Sequence, residues 1–328
     1  MDQSRTRRQY TRGLALALLA ATPYVHAQAP WLPTRPLRMI VPFPPGGGND
    51  ILARTLAQSL AEPLKQQIIV DNRGGAGGML GGQIAAAADP DGYTLFLGSM
   101  GSLAHNPALR ASSSYFPPRD FSAVSMVATS AFVLVAHPAA PASVKDLIAT
   151  ARAKPGALNF GSAGTGSSLH LTGELFKHMA GVNLTHVAYK GTAPAITELI
   201  AGQVHILFST IAPAMPHVKA GKLRALGVTG LKRVKVVGDT PTVAEAGVPG
   251  FDVENWQGVV VPAKTPAPII GRLHHEITKL LTQAEMLSTL GVQGLDAVNM
   301  TSTAFNQMIK SEIDKWRKVV QAANIRVE

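Results

Sequence analysis

The sequence predicts an α/β fold of the doubly wound kind, and three observations lead to it. Short apolar runs alternate with longer segments along most of the chain. The longer segments repeat their apolar residues every three or four positions, as amphipathic helices do. The chain has no tandem repeat and no low-complexity tail. Alternating strands and helices with short connections are typical of parallel sheets flanked by helices, so we expect parallel strands.

The first 27 residues have the features of an export signal. Four arginines precede the apolar stretch 13–21, and the sequence VHA at 25–27 resembles a cleavage site. The apolar stretch is much shorter than the roughly 20 residues that cross a bilayer. The sequence TRRQY at 6–10 also resembles a twin-arginine signal, with an ordinary secretory (Sec) signal as the alternative. We therefore expect an exported protein.

Composition limits the classes of function. The part after residue 27 is long enough for two domains, and the absence of cysteine suits an oxidising compartment. A net charge of +10 favours anionic ligands, although solubility alone would also account for it. The tightest basic cluster, 232–235, has no aromatic residues interleaved, which argues against a nucleic-acid partner.

The elements follow in chain order. Nine apolar runs are predicted strands: 37–41, 68–70, 94–97, 132–136, 158–160, 185–188, 205–208, 223–228 and 257–261. Leucines at every fourth position from Leu52 to Leu64 predict a helix after Asp50, and a second helix is predicted over 267–283. A long C-terminal helix runs from Phe305 to Val320, with its N-cap at residue 301, 302 or 303.

The stretch VPFPPGGGNDILAR, residues 41–54, forms the loop between the first strand and the first helix. Three glycines let a ligand approach the main chain, and Asn49 or Asp50 is predicted to cap the helix. Ligands of open parallel sheets bind beyond the carboxyl ends of the strands, so we expect an anion here. A turn that binds nothing is the alternative. The loop matches neither a dinucleotide fingerprint nor a P-loop.

A second loop of similar chemistry follows the strand near residue 160. The stretch NFGSAGTGSSLHLTGELF, residues 159–176, supplies hydroxyl groups and glycines at the start of another helix. Two such loops, far apart in sequence, would suit two lobes that face a shared cleft.

Catalytic and metal signatures are absent. The sequence HHE at 274–276 lacks the second histidine of a zinc protease motif, because Lys279 stands there. None of the serines lies in a nucleophile elbow. We expect no metal, no cofactor and no enzymatic activity, although an enzyme built on the same fold stays open.

Eight stretches along the chain resemble one family, in its order and at its spacing. They are PLRMIVPFPPGGGNDILAR (36–54), VDNRGGAGGMLGG (70–82), DPDGYTLFLGS (89–99), KPGALNFGSAGTGSSLHLTGELFKHMAGV (154–182), HVAYKGTAPAITELIAGQV (186–204), HVKAGKLRALGVTG (217–230), TPTVAEAGVPGF (240–251) and PAKTPAPII (262–270). The chain thereby resembles the Bug receptors, the extracytoplasmic solute-binding proteins of tripartite tricarboxylate transporters.

That resemblance implies a periplasmic binding protein type II-like fold, in which two doubly wound lobes are joined by two hinge strands. Residues 132–136 and 257–261 fit the hinge strands. Lobe 1 would then comprise 28–132 plus 257–328, and lobe 2 would comprise 133–256. The resemblance also implies a periplasmic location and a ligand cleft between the lobes.

The resemblance further implies which residues bind a ligand carboxylate. We expect these residues in the cleft: Phe43, Pro44, Pro45, Gly46, Gly47, Ser99, Ser162, Gly164, Thr165, Gly166, Ser167, His170, Tyr189, Lys190, Gly191 and Ser209. Many relatives have an aspartate at the position of Ser209. If that aspartate pairs with a ligand ammonium, its absence here indicates a carboxylate ligand without an amino group.

Partners follow from the same resemblance. The protein would deliver a small carboxylate to the membrane subunits of a tripartite transporter. A signalling co-receptor that presents the same ligand to a sensor protein is the alternative. We expect a monomer.

Overall fold

The computed structural model describes residues 31–110 and 113–325. The predicted export signal, residues 1–27, lies outside the described residues. From Leu32 onward the chain forms one compact unit. Among the described helices, none has both the length and the apolar character that crossing a bilayer requires.

The described residues form eleven strands. In chain order they are β1 (Leu37–Val41), β2 (Ile68–Asn72), β3 (Thr94–Ser99), β4 (Phe121–Ala131), β5 (Val133–Ala136), β6 (Asn159–Ser162), β7 (Thr185–Ala188), β8 (Ile206–Ser209), β9 (Arg224–Val228), β10 (Glu254–Pro262) and β11 (Asp296–Ala297). All nine predicted strands are present, with ends that differ by a few residues. The long strand β4 and the short strand β11 were not predicted.

These strands build two sheets. The first sheet has the order β11-β4-β10-β3-β1-β2, and the second has the order β7-β6-β8-β5-β9. The expected parallel pairing holds for only part of each sheet, since β10 runs antiparallel to β3 and β4, β11 runs antiparallel to β4, and β5 runs antiparallel to β8 and β9. The strands β5 and β10 each come directly after the chain has passed from one sheet to the other. At these two places the chain enters a sheet from the other sheet, and no strand–helix–strand crossover connects the new strand to its neighbours. Parallel neighbours need such a crossover.

Eleven α-helices occur within the described ranges. They are α1 (Gly48–Leu64), α2 (Met79–Ala86), α3 (Asn106–Leu109), α4 (Pro117–Asp120), α5 (Val144–Ala153), α6 (Ser168–Ala180), α7 (Thr192–Ile200), α8 (Ile211–Lys219), α9 (Ala267–Leu280), α10 (Ala284–Val292) and α11 (Ser302–Ala322). Short turns of 3-10 helix at Ala76–Gly78 and Lys235–Val237, and a π-helical turn at Gly101–His105, complete the set.

The predicted helix faces are the buried ones. In α1 the four leucines of the predicted stripe are buried, and each contributes about 1.5–3 kcal/mol relative to an exposed side chain. In α11 Phe305 and Trp316 are buried, while Val320 is half-buried. Thr301 caps α11, because its hydroxyl accepts a hydrogen bond from the Ala304 N–H at 3.2 Å. One of the three predicted N-caps is thereby confirmed.

The chain passes between the two sheets twice. Phe132 alone separates β4 of the first sheet from β5 of the second, and residues 229–253 lead from β9 back to β10. Of the two predicted hinge strands, 132–136 lies largely in β5, and 257–261 lies inside β10. The lobe boundaries, 28–132 plus 257–328 and 133–256, stay a prediction.

Candidate functional site

A small cavity lies between the two sheets. It is lined by Phe43, Gly47, Gly48, Asn49, Ser99, Phe132, Ala163, Ser167, Ser168, Leu169, Thr192, Thr210 and Asn255. Its volume is ≈ 20 Å³ for the centre of a water molecule, which is room for about one water. Residues from the loop after β1 and from the loop after β6 therefore contribute to one site.

Four helices begin at this cavity, as far as the described chain shows. The N-caps are Gly47 for α1, Ser167 for α6, Gly191 for α7 and Thr210 for α8. For each helix, the N-cap or the first helical residue lines the cavity. A helix N-terminus carries roughly half a positive charge and presents unbonded backbone N–H groups. The helix starts therefore favour an anion in the cavity without a lysine or arginine among the lining residues.

The start of α1 explains why Asn49 reaches the cavity. The prediction that Asn49 or Asp50 caps this helix is wrong, because the N-cap is Gly47. The Asp50 carboxylate instead reaches back and accepts a hydrogen bond from the Gly46 N–H at 2.9 Å, in the manner of a capping box. Arg54 binds the same carboxylate at 3.0 Å. Asn49 is then left without a capping role.

Neighbouring hydrogen-bond donors stabilise the ionised form of Asp50. Burial alone would raise the pKa of its carboxyl group. Hydrogen bonds from the Arg54 side chain and from the Gly46 N–H outweigh the effect of burial, so the pKa lies below its ordinary value. Asp50 is therefore ionised at neutral pH. Because the Gly46 N–H serves Asp50, it is not available to a ligand.

Three buried polar atoms at the cavity have no hydrogen-bond partner among the described residues. They are the side-chain nitrogen Nδ2 of Asn49 and the hydroxyl oxygens of Ser99 and Thr210. Asn49 and Ser99 come from the first sheet's side, and Thr210 comes from the second sheet's side. An unsatisfied buried donor costs about 1–3 kcal/mol, so these atoms favour an acceptor between them. All three are neutral groups able to donate to an anion.

The remaining walls are apolar or backbone. Phe132 and Leu169 are almost fully buried, and Phe43 is half-buried. Within the described part of the wall, none of the lining residues is charged. The apolar walls can thus contact a carbon chain and the polar groups can hydrogen-bond a carboxylate once the cleft widens, but the described wall presents no carboxylate to a ligand ammonium.

The two sides of the cleft meet closely beside the cavity. A Cβ atom at Gly48 would lie 2.7 Å from the hydroxyl oxygen of Thr210, and one at Gly101 would lie 2.9 Å from the Ser168 nitrogen. At Gly191 it would lie 2.6 Å from Cδ of Pro44. Glycine at these positions allows backbone from one side to touch the other, so the cleft is closed.

Two histidines hold the loop after β6 in place through hydrogen bonds. His170 accepts a hydrogen bond from the Gly166 N–H at 3.2 Å and stacks on His186 at 4.0 Å. The His186 Nε2 and the Ser162 hydroxyl lie 2.7 Å apart. Burial is the main cause that lowers the pKa of His170 to about 3 and that of His186 to about 4. Both rings are therefore neutral at neutral pH and serve the loop as hydrogen-bonding supports.

Four of the predicted site residues line the cavity: Phe43, Gly47, Ser99 and Ser167. The other predicted residues lie around it. Pro45, Gly46 and Lys190 are exposed, and the Ser209 hydroxyl donates to its neighbour's carbonyl oxygen at 2.9 Å. The remaining eight lie within three positions of a lining residue in the sequence: Pro44, Ser162, Gly164, Thr165, Gly166, His170, Tyr189 and Gly191. The ligand-binding roles of all of them stay predictions.

Nine lining residues are not among the sixteen predicted ligand-binding residues, although five of them lie in the two predicted loops: Gly48, Asn49, Phe132, Ala163, Ser168, Leu169, Thr192, Thr210 and Asn255. A signal for two of them was present, because Thr192 and Thr210 immediately follow the predicted site residues Gly191 and Ser209 at the starts of helices. Asn255 is the second residue of β10, between Glu254 and Trp256, where no local pattern marks it as a site residue.

No group of histidine, aspartate or glutamate residues in the described part of the chain is arranged to hold a metal ion.

The chain is similar to proteins of one known family along most of its length. The sequence profile of a family described as "Tripartite tricarboxylate transporter family receptor" matches residues 52–325. Protein BugT of Bordetella pertussis is 36% identical over 298 residues, which are 90% of this chain and 91% of BugT.

Two solved structures share the fold and hold ligands. Rpa4515 of R. palustris with adipate has a TM-score of 0.87 and 36% identity, covering 90% of this chain and 99% of that one. MatC (Rpa3494) of Rhodopseudomonas palustris with bound malate has a TM-score of 0.83 and 32% identity, covering 88% of this chain and 100% of that one. Both ligands are dicarboxylates.

Proposed function

The chain belongs to the family of tripartite tricarboxylate transporter receptors, and we propose that its cavity captures a small organic anion through a carboxylate group. The family consists of solute-binding proteins and is periplasmic. The predicted export signal supports the same location for this chain. We propose that it carries its ligand to transporter subunits in the membrane.

The convergence of helix N-termini on the cavity carries the proposal. Four helix starts line one small cavity, and three of its lining residues, Asn49, Ser99 and Thr210, carry buried neutral donors without a partner among the described residues. Such an arrangement suits an anion, because backbone N–H groups at helix starts bind carboxylates and phosphates without a cationic side chain. The relatives that hold adipate and malate support a carboxylate as the anion.

The ligand lacks an amino group. An ammonium in a closed cleft needs a carboxylate partner, because an unpaired buried charge is strongly unfavourable. The described wall offers no such partner. Ser209 donates its hydroxyl to the Thr210 carbonyl oxygen and carries no charge. Calorimetry should therefore show adipate or malate binding more tightly than aspartate or glutamate; the reverse order would contradict this part of the proposal.

Capture proceeds by opening and closing of the cleft. A cavity that holds about one water is too small for a dicarboxylate, so the ligand enters an open form. The ligand stabilises the closed form because Asn49 and Thr210, on opposite sides, bind it together only when the cleft closes. No reaction is needed, and the family is not a family of enzymes.

A thermal-shift screen of mono-, di- and tricarboxylates tests the proposal. A ligand present at a hundred times its Kd should add about 2.7 kcal/mol to the free energy of unfolding. We expect at least one carboxylate to raise the melting temperature by several degrees, and the same acid to be recovered unchanged by NMR. If no anion in the screen does so, while cationic or neutral solutes do, the proposed function is wrong.

Delivery to the membrane is tested separately. The liganded protein, immobilised, should retain the membrane subunits of a tripartite transporter from detergent extracts. Retention of a sensor protein instead would favour the co-receptor alternative. Native mass spectrometry of the same sample should show a monomer.

A further inference from the structure

The two chain crossings between the sheets meet at one threonine. Thr229 follows β9, Phe132 separates β4 from β5, and Val253 precedes β10. The Phe132 N–H donates a hydrogen bond to the Thr229 hydroxyl oxygen at 2.8 Å, and that hydroxyl donates to the Val253 carbonyl oxygen at 2.7 Å. One side-chain oxygen thus joins both crossings.

Backbone bonds reinforce the same junction. The Thr229 N–H donates to the Phe132 carbonyl oxygen at 2.9 Å, and the Val253 N–H donates to the Thr229 carbonyl oxygen at 2.9 Å. Thr229 is completely buried. Water therefore does not reach the hydroxyl, and its two hydrogen bonds are made within the protein. Both polar groups of the Phe132 main chain are held by Thr229.

The junction touches the cavity through Phe132. The side chain of Phe132 lines the cavity and is 1% exposed, whereas Thr229 does not line the cavity. A shift of the Phe132 main chain would move one wall of the cavity. The orientation of that wall and the relation between the two sheets consequently depend on the same hydroxyl.

We propose that Thr229 is a positioning residue that couples the two crossings and sets the closed geometry of the cleft. Its hydroxyl makes the two chain segments bend together, so that Phe132 takes its place against the ligand each time the cleft closes. Removing the hydroxyl leaves only the two backbone bonds to join the segments, which loosens the coupling and populates a wider range of openings. The role in ligand affinity rests on the proposed carboxylate binding, whereas the role in coupling does not.

Substitution at Thr229 tests the coupling against a matched control. Thr229→Val keeps the shape and removes both hydroxyl bonds, while Thr229→Ser keeps them. Thr265→Val removes a buried hydroxyl bond of the same kind, from Thr265 to the Pro262 carbonyl oxygen at 2.8 Å, at a site that does not line the cavity. Thr229→Ala is a second probe of the same bonds if Thr229→Val does not fold.

Two readouts are compared, and adipate is the probe. The first is the Kd for adipate by calorimetry. The second is the distribution of distances between spin labels at Gln58→Cys on α1 and Lys145→Cys on α5, measured with and without adipate. Both positions are exposed, and the natural chain has no cysteine to interfere.

We expect T229V to bind adipate about tenfold or more weakly and to broaden the distance distribution without ligand, while T229S matches the wild type. T265V should lower the denaturation midpoint but leave both readouts unchanged. If T229V has the wild-type distance distribution without ligand, the coupling is refuted. If the wild type fails to bind adipate or any other carboxylate, the proposed function fails, and the ligand-free distances still decide the coupling.

Discussion

Replacing Gly48 by alanine should separate closure of the cleft from stability of the fold. Gly48 is the first residue of α1, and the added methyl group would lie 2.7 Å from the Thr210 hydroxyl oxygen on the opposite side. Ordinary contact begins at 3.4 Å, so the two sides must move apart by roughly 0.7 Å for the methyl group to fit. No backbone strain is added, since Gly48 does not need the left-handed conformation.

The size of the effect follows from packing. Overpacking of this kind costs about 1–3 kcal/mol, and the closed form bears that cost alone. The Kd for a bound dicarboxylate should rise by about 5- to 150-fold. Alanine is a better helix former than glycine by up to about 1 kcal/mol, so the denaturation midpoint without ligand should stay the same or rise.

Calorimetry with adipate and urea denaturation measure the two quantities. Gly271→Ala is the matched control, because Gly271 lies in α9 and an added Cβ meets nothing within 4 Å. It should leave the Kd unchanged. If Gly48→Ala bound adipate as tightly as the wild type, the view that Gly48 and Thr210 meet on closure would be refuted.

Three further predictions concern the site and its supports. Asn49→Asp places a negative charge beside the ligand carboxylate without changing size, so the Kd measured by calorimetry should rise at least about tenfold; Gln58→Glu, exposed on the same helix, should have little effect. The pKa values of His170 and His186, about 3 and about 4 in the folded protein, lie below the ordinary value of about 6.5, so unfolding binds protons between these values. The free energy of unfolding, measured by urea titration, should thus receive a contribution from these two rings that is constant above pH 6.5, where both the folded and the unfolded protein keep the rings neutral. It should fall as the pH drops from 6.5 toward 4, by up to about 1.4 kcal/mol per pH unit for each ring; an equally steep fall in His186→Gln would contradict the assignment. Gly258→Ala forces a methyl group into a phenylalanine ring of α11 and to 2.9 Å from a carbonyl oxygen, and should lower the unfolding free energy by about 1–3 kcal/mol; a thermal melt equal to the wild type would exclude this packing.

Much of the fold follows from local pattern. The leucine stripe of α1 and the apolar stripe of α11 identify their buried faces because a helix places every third or fourth residue on one side. The strand β4 was harder, since FSAVSMVATSA mixes small and hydroxyl residues without alternation. Its Ser125 is buried and donates its hydroxyl to a backbone carbonyl oxygen, so a polar residue there does not mark an exposed face.

Strand direction lies beyond such patterns. The apolar runs that became β5 and β10 resemble the parallel strands, but both run antiparallel to their neighbours. A strand buried on both faces has the same composition in either direction. The direction is set by where the chain crosses between the sheets, which is a property of the whole topology.

In the candidate site, too, some features follow from local sequence pattern and others depend on the whole fold. The glycine-rich loops could be recognised, because close approach to backbone requires glycine. Asn49 was interpreted as a cap, but the carboxylate of Asp50 takes up the N–H of Gly46, and Asn49 turns to the cavity. Thr210 was missed by one position, since only three-dimensional contact decides which residue at a helix start lines the cleft.

Paired titrations with adipate and with adipamide, its neutral diamide of nearly equal size, test the central claim most directly. We expect the dicarboxylate to release heat and bind with a Kd at least about a hundredfold lower than the diamide, because the positive ends of the helices act on charge. Comparable affinity for both compounds would show that the helix starts do not hold an anion, and would contradict the proposed function.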